Sequence, residues 1–298
     1  MSRKLRPRAN FSRDPFFFGN YYIKNIAVYG LASVAILIST NFFAHYSVFW
    51  LLCLAPLFLT QFRFIIAGSA LLLVAAFIQY PDLFTWRTIP IVALAICIGH
   101  LTTVMMHNAT HFNFKPRWLN GVMGELAALQ QLSAGLVVFR YMHFLHHAHP
   151  DDPENDPHPP KGYSFWQFVD TARVLVGRQL EKNYLTIWGD TTKSRATWSK
   201  QGPLLFAARF CKTLFIFSLL GPRWFVVAFL PSYVSNVLLY AGFNYFTHAQ
   251  QPDGSTEVKD LKGTLYFDLC NRFLFGIMYH KTHHLFPNRF NPMKAAKT

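Results

Sequence analysis

Long apolar segments are the feature of this 298-residue chain that most restricts its fold. A helix needs about 20 mostly apolar residues to cross a bilayer. The chain offers six candidate segments, which are Tyr22–Phe43, Val48–Phe62, Phe64–Tyr80, Ile89–Met106, Leu204–Leu220 and Trp224–Phe243. The second of them is short and contains Pro56. The pattern predicts an all-α integral membrane protein with about six transmembrane helices.

The composition agrees with a membrane location. Hydrophobic residues make up 52% of the chain and aromatic residues 17%, whereas only 14% are charged, which is below the usual charged fraction of soluble domains. One further apolar segment, Gly121–Phe139, carries Glu125, Gln130 and Gln131. Since a charged residue at the bilayer centre costs about 3 kcal/mol on insertion scales, this segment is expected to be re-entrant or interfacial and not to cross.

Basic residues predict the orientation of the chain. Five of the first 13 residues are Lys or Arg, and such clusters stay on the cytoplasmic side. Four crossings then return the chain to the cytoplasm before His107, and a hairpin of two spans with its turn at Leu220–Arg223 returns it before His248. We therefore expect both termini, together with the segments that follow His107 and His248, on the cytoplasmic side of a bacterial cytoplasmic membrane.

The net charge of +14 needs no nucleic acid to explain it. Basic residues are frequent in the segments predicted to be cytoplasmic, which suits contact with anionic lipid headgroups. The same surface could bind an acidic electron carrier. The sequence shows no internal repeat and no separate soluble domain, so residues 1–298 are interpreted as one domain with a basic cytoplasmic N-terminal segment, 1–21.

Three histidine clusters carry the chemistry of the chain. They have the sequences HNATH, HFLHH and HKTHH, and they contain His107, His111, His143, His146, His147, His280, His283 and His284. Residues three and four positions apart lie on one face of a helix, so each cluster is expected to direct its imidazoles toward one point. Eight ligands exceed the needs of one ion, and imidazole binds iron and other first-row metals readily. The sequence therefore predicts a pair of metal ions.

These clusters, in this order among the spans, resemble the histidine boxes of the membrane fatty acid desaturase family. The third cluster continues as HHLFP, and the resemblance covers residues 64–292. It implies a helical membrane domain whose cytoplasmic helical cap holds two iron ions. It also implies a ninth histidine ligand, His248, and a ligand that acts through water, Asn244. One departure is Asn108, which stands where many members have Asp or Glu.

An acidic segment follows the second cluster. Its carboxylates belong to Asp151, Asp152, Glu154 and Asp156. Nine neutral imidazoles leave the charge of two divalent ions uncompensated, which is costly in surroundings of low dielectric constant. Carboxylates that accept the second ring proton of a ligand imidazole offset that charge. Asp156 is the favoured candidate for this role, and a solvated turn is the alternative for the segment.

The resemblance implies an oxidoreductase that uses O2 to introduce a double bond into a fatty acyl chain. The chain would be linked to a lipid, to coenzyme A or to a carrier, and an external ferredoxin, rubredoxin or cytochrome b5 type protein would supply electrons. A related hydroxylase, ketolase or acetylenase that acts on a fatty chain or a carotenoid is the alternative. A histidine-rich metal transporter is more remote, because the clusters follow the spans or lie between them.

Overall fold

The structure is a computed structural model that describes residues 10–42, 48–152, 154–157, 162–250 and 256–296. Four of its helical runs are long and apolar enough to cross a membrane, namely Phe17–Ser39, Phe62–Gln79, Trp86–Thr110 and Thr192–Thr247. The prediction of a helical chain is therefore confirmed, and the four runs fit a membrane protein, while the number of six crossings stays a prediction. The basic residues Arg3 to Arg8 lie outside the described residues. His45, which the predicted topology places on the side of the membrane opposite the N-terminus, lies outside them as well.

The described residues form helices and one small pair of strands. The helices are α1 (Phe17–Ser39), α2 (Phe49–Leu54), α3 (Phe62–Gln79), α4 (Ile89–Thr110), α5 (Leu119–Gln130), α6 (Leu136–Ala148), α7 (Phe165–Trp188), α8 (Thr192–Ser199), α9 (Gln201–Trp224), α10 (Leu230–Thr247), α11 (Leu265–Phe273), α12 (His280–Leu285) and α13 (Pro292–Ala295). Strands β1 (His248–Gln250) and β2 (Thr256–Val258) pair antiparallel. Short 3-10 turns, including Ala55–Phe58, connect some of the helices.

Helices α9 and α10 form the predicted hairpin. Helical residues continue through the turn, so both helices belong to the single run Thr192–Thr247. The break lies at Gly221, whose φ of 66° is left-handed, a conformation that glycine adopts without steric cost. Pro222 follows, and it has no backbone N–H to continue the helix. Arg223 at this turn forms an ion pair with Asp82, which lies between α3 and α4. The two turns therefore lie together, on the side of the molecule away from the histidines.

The second predicted span differs from a regular transmembrane helix. Helix α2 has only six residues and passes into the 3-10 turn Ala55–Phe58, because Pro56 cannot donate an α-helical hydrogen bond. Trp50 Nε1 nevertheless donates to Gln79 Oε1 at the end of α3, at 2.7 Å. Since 3-10 and extended segments rise about 2.0 and 3.3 Å per residue, against about 1.5 Å for an α-helix, this segment runs alongside most of α3.

The segment Gly121–Phe139 is divided between two helices. Its first part lies in α5, and its second part begins α6, which carries the second histidine cluster. Leu132 (φ 45°) and Gly135 (φ 114°) have left-handed or positive φ values and separate the helices. Glu125 accepts a hydrogen bond from Tyr21 Oη at 2.6 Å, so the carboxylate has a polar partner in α1. This segment is not among the four runs that are able to cross a membrane.

The N-terminal end of α1 lies on the same side as the histidine clusters. Gly19 N donates to Gln201 Oε1 at 2.8 Å, which joins the first turns of α1 and α9. The ring of Phe11 packs against Tyr141 in α6, with 4.9 Å between centroids. Phe18 in the first turn of α1 also packs against Tyr141, so the beginning of α1 contacts the helix that carries the second histidine cluster.

Candidate metal centre

All nine predicted histidines converge in the folded chain, and they divide into two sets. We call the first histidine set His107, His111, His143, His147 and His283, and the second histidine set His146, His248, His280 and His284. Within each set, one nitrogen of every ring lies within 4.8 Å of the others. His100 and His149 are described as well, and they belong to neither set.

The ring nitrogens approach one another as ligands of one ion would. In the first set the Nε2 atoms of His111 and His143 are 2.8 Å apart, and those of His107 and His283 are 2.9 Å apart. In the second set the Nε2 atoms of His248 and His280 are 2.8 Å apart. Two nitrogens bound at about 2.1 Å and at a right angle to one metal lie about 3 Å apart. The donor set therefore fits two imidazole-bound metal ions.

The expectation that each cluster directs its rings toward one point is wrong for the second and third clusters. His143 and His147 share the first set, whereas His146 belongs to the second. Helical geometry explains the division, because four residues turn about 40° beyond a full turn and three residues fall about 60° short of it. The third cluster divides in the same way, with His280 and His284 in the second set and His283 in the first.

The histidine sets are buried, which favours neutral imidazole rings. Burial lowers the pKa of His143 and His283 well below the usual value, and neighbouring histidines lower it further. The same two causes bring the pKa of His284 to about 2. Because a neutral imidazole offers a lone pair and a protonated one does not, these rings remain able to bind metal at physiological pH.

Two carboxylates orient rings of the second histidine set. Both Asp156 oxygens lie 3.0 Å from His146 Nδ1, and Asp151 Oδ1 lies 2.9 Å from His248 Nδ1. Asp151 N also donates to Asp156 Oδ2 at 2.7 Å, which ties the two carboxylates together. A carboxylate that accepts the Nδ1 proton directs the lone pair of Nε2 toward the metal. The predicted contact of Asp156 with a histidine is present in the structure.

The remaining acidic residues of that segment have other partners. Asp152 accepts hydrogen bonds from the backbone and side chain of Asn155 within its own turn. Glu154 forms an exposed ion pair with Lys182. These two carboxylates stabilise the loop and its contact with α7, so the solvated-turn interpretation describes them better than contact with a ligand ring.

Asp260 is a residue that the sequence reasoning missed. Its two carboxylate oxygens accept hydrogen bonds from Thr282 N at 3.0 Å and from Thr282 Oγ1 at 2.7 Å. Thr282 lies in α12 between His280 and His283, so Asp260 fixes the helix that contributes to both sets. No spacing rule connects Asp260 with the third cluster, because the contact depends on the strand-like bridge between Asp260 and Tyr279.

Asn244 lies beside the first histidine set. It is buried, its Nδ2 donates to Tyr240 O at 2.8 Å, and it lines a small cavity together with His107 and His143. This position is compatible with a ligand that acts through water, and that role stays a prediction.

A larger cavity of about 180 Å³ also reaches the first histidine set. Its walls include His143 and the apolar side chains of Phe139, Met142 and Val169. A mostly apolar cavity that is lined by a histidine of the first set has the character expected for the site of a hydrocarbon chain.

Asp156 provides a first testable prediction. We expect Asp156→Asn to weaken metal binding by about 10–100-fold, because outer carboxylates of metal-binding histidines have effects of this size. Competition with a chelator would measure the affinity. Asp152→Asn is the matched control from the same segment, and it should leave the affinity unchanged. Equal affinities of the wild-type protein and Asp156→Asn would show that the carboxylate does not support the site.

Comparison with known proteins agrees with the family resemblance of the histidine clusters. A family model described as fatty acid desaturase matches residues 83–290, which is more than half of the chain. No curated protein and no solved structure matches the chain significantly. The matched segment contains all nine histidines of the two sets. The chain belongs to the fatty acid desaturase family.

Proposed function

We propose that the protein is an O2-dependent di-iron desaturase that introduces a double bond into a fatty acyl chain. The observation that carries the proposal is the convergence of nine histidines in two adjacent sets. Two reduced iron ions, when bound, supply the activation of O2 that is needed to break unactivated C–H bonds. Membership of the desaturase family supports the same activity.

The proposed reaction removes two hydrogen atoms from adjacent methylene groups. One O2, two electrons from an external donor and two protons are consumed along with them, and two water molecules and one double bond result. The donor would be a ferredoxin, a rubredoxin or a cytochrome b5 type protein. Basic cytoplasmic segments suit an acidic partner of this kind, since complementary charge accelerates association.

In this proposal the residues of the chain have distinct roles. The nine histidines hold the two ions, and Asn244 contributes through water. Asp156 and Asp151 hold the protons at Nδ1 of His146 and His248, which fixes both rings. The apolar cavity beside His143 holds the acyl chain in register and excludes water from the reacting carbons.

The test is product analysis after iron reconstitution. The purified protein would receive iron, O2, a reducing system and an acyl chain with deuterium on defined methylene groups. We expect loss of two deuterium atoms from adjacent carbons with no oxygen gained. A product that has gained an oxygen atom would identify a hydroxylase or ketolase instead, and further loss from an existing double bond would identify an acetylenase. Turnover without iron would refute the proposal.

We also propose six crossings with the metal centre and both termini on the cytoplasmic side. The ion pair between Arg223 and Asp82 supports this topology, because it joins two turns on the side opposite the histidines. The hydrogen bond between Trp50 and Gln79 supports a crossing by the segment that contains α2. Cytoplasmic placement follows from the basic N-terminal residues.

Cysteine accessibility measures this topology directly. We expect single cysteines at Ser2 and Thr298 to react with a membrane-impermeant reagent only after the cytoplasmic side is opened. A cysteine at Arg87, in the turn between α3 and α4, should react from the outside and is the matched control. Labelling of Ser2 and Thr298 from opposite sides would require an odd number of crossings.

A further inference from the structure

Three basic side chains converge on the loop between α5 and α6. Arg209 Nε donates to Leu132 O at 2.9 Å, Arg173 Nη2 to Gln131 O at 3.4 Å, and Lys212 Nζ to Ser133 O at 3.3 Å. Three successive carbonyl groups therefore each receive a hydrogen bond from a cation. The loop lies directly before the helix that carries the second histidine cluster.

Two of these cations are buried, Arg173 is partly buried, and none of the three forms an ion pair with a described acidic residue. Arg209 is 3% exposed and Lys212 is 1% exposed. Within the part of the chain that the structure describes, the ion pairs involve other residues, and none includes Arg173, Arg209 or Lys212. A buried charge normally has a partner of opposite sign, because its removal from water is otherwise costly.

Two of the three cations face the larger cavity. Arg173 and Arg209 line it, together with Gln131 of the loop, while His143 and apolar side chains form other parts of the wall. A guanidinium group has five donors in a planar fork. The hydrogen bonds of Arg173 to Tyr233 and Gln131 use two of its five donors. The cavity thus combines a cationic region, an apolar region and a metal-binding histidine.

We propose that this cavity binds an amphiphile whose anionic oxygen group, a carboxylate or a phosphate, pairs with Arg173 and Arg209. The apolar chain of the amphiphile then extends along the cavity toward His143. This inference rests on the proposed function for the identity of the reacting chain. It adds that the substrate is recognised by a negative charge near the chain, as in a free fatty acid or a phospholipid, and that a neutral ester lacks the recognised group.

The competing explanation is that the cations only hold the loop in place. Their hydrogen bonds to backbone carbonyls would do so with or without a ligand. The two explanations differ in one measurable property, since loop attachment alone gives no preference between anionic and neutral amphiphiles. Charge-assisted hydrogen bonds are roughly twice as strong as neutral ones, so an anion site gives a clear preference.

The test measures displacement of the fluorescent fatty acid cis-parinaric acid from the purified full-length protein in detergent, without turnover. Competitors with the same chain are stearate, stearoyl lysophosphatidic acid, methyl stearate and stearylamine. We expect at least one of the two anionic competitors to displace the probe at about tenfold lower concentration than methyl stearate. Preference for stearate identifies a carboxylate, and preference for the lysophospholipid identifies a phosphate. Equal displacement by anionic, neutral and amino competitors overturns the proposal.

Variants of Arg173 in α7 distinguish the effect of its charge from a loss of folded structure. Arg173→Gln should reduce the anionic preference about tenfold, and Arg173→Lys should retain most of it. Arg178→Gln is the matched control, because Arg178 is exposed on the same helix, and it should behave as the wild-type protein. An unchanged preference in a folded Arg173→Gln protein overturns the proposal. Since binding is read without iron, failure of the desaturation assay would refute the proposed function and leave this result standing.

Discussion

Replacing His283 by Ala is expected to abolish product formation and to lower the iron content from two ions per chain toward one. His283 Nε2 lies 2.9 Å from His107 Nε2 and 3.0 Å from His147 Nε2, so the loss of His283 opens the first histidine set. The effect should exceed the about 10–100-fold that is typical of outer carboxylates, because a ligand atom itself is removed. Metal analysis and product analysis on the same preparation measure both effects.

A second variant tests whether the two sets bind separate ions. His280→Ala removes a member of the second histidine set, and it should also leave about one iron and no product. His149→Ala is the matched control, because His149 is exposed and lies two residues after His147. It should keep two irons and normal turnover. A wild-type protein that saturates with one iron would contradict the division into two sets.

Replacing His248 by Ala is expected to have an equally large effect on activity, although His248 lies in none of the three clusters. Its Nε2 is 2.8 Å from His280 Nε2, and its Nδ1 is 2.9 Å from Asp151. The second set has four members and the first has five, so loss of His248 leaves only three imidazoles for one ion. Iron should therefore be lost from the second set, and product formation should cease.

Iron titration distinguishes this result from a general loss of structure. The His248→Ala protein should still bind one iron with the affinity of the first set. Its thermal unfolding, measured in the iron-free state, should match that of the iron-free wild-type protein. Asp151→Asn, which keeps the imidazole and changes only its partner, should give a smaller loss of affinity. Normal iron content and turnover in His248→Ala would limit the ligands to the eight histidines of the clusters.

The composition of each histidine set could be predicted only in part from the sequence. Helical periodicity is sufficient to place His143 with His147, and His280 with His284, because these pairs are four residues apart. It does not determine that His283 joins His107 rather than His280. That pairing depends on how α12 packs against α4, and such contacts between distant segments leave no periodic signal in one sequence.

The fold could also be predicted only in part from the sequence, and the segment with Pro56 shows why. The apolar segments Phe64–Tyr80 and Ile89–Met106 predict α3 and α4 well, because hydrophobic length alone determines them. The segment Val48–Phe62 becomes a short helix and a 3-10 turn at Pro56. Hydropathy does not record the missing N–H of proline, so it predicts the apolar length of a segment and not its internal geometry.

The position of the third cluster has a consequence for biosynthesis. His283 completes the first set, and His280 and His284 belong to the second. A nascent chain that ends before residue 280 therefore contains every apolar span but neither full set of ligands. Either histidine set can be completed only after synthesis has passed residue 280, and both only after it has passed residue 284, when α12 packs against segments made much earlier. The apolar spans are thus synthesised before either of the proposed metal sites can be completed.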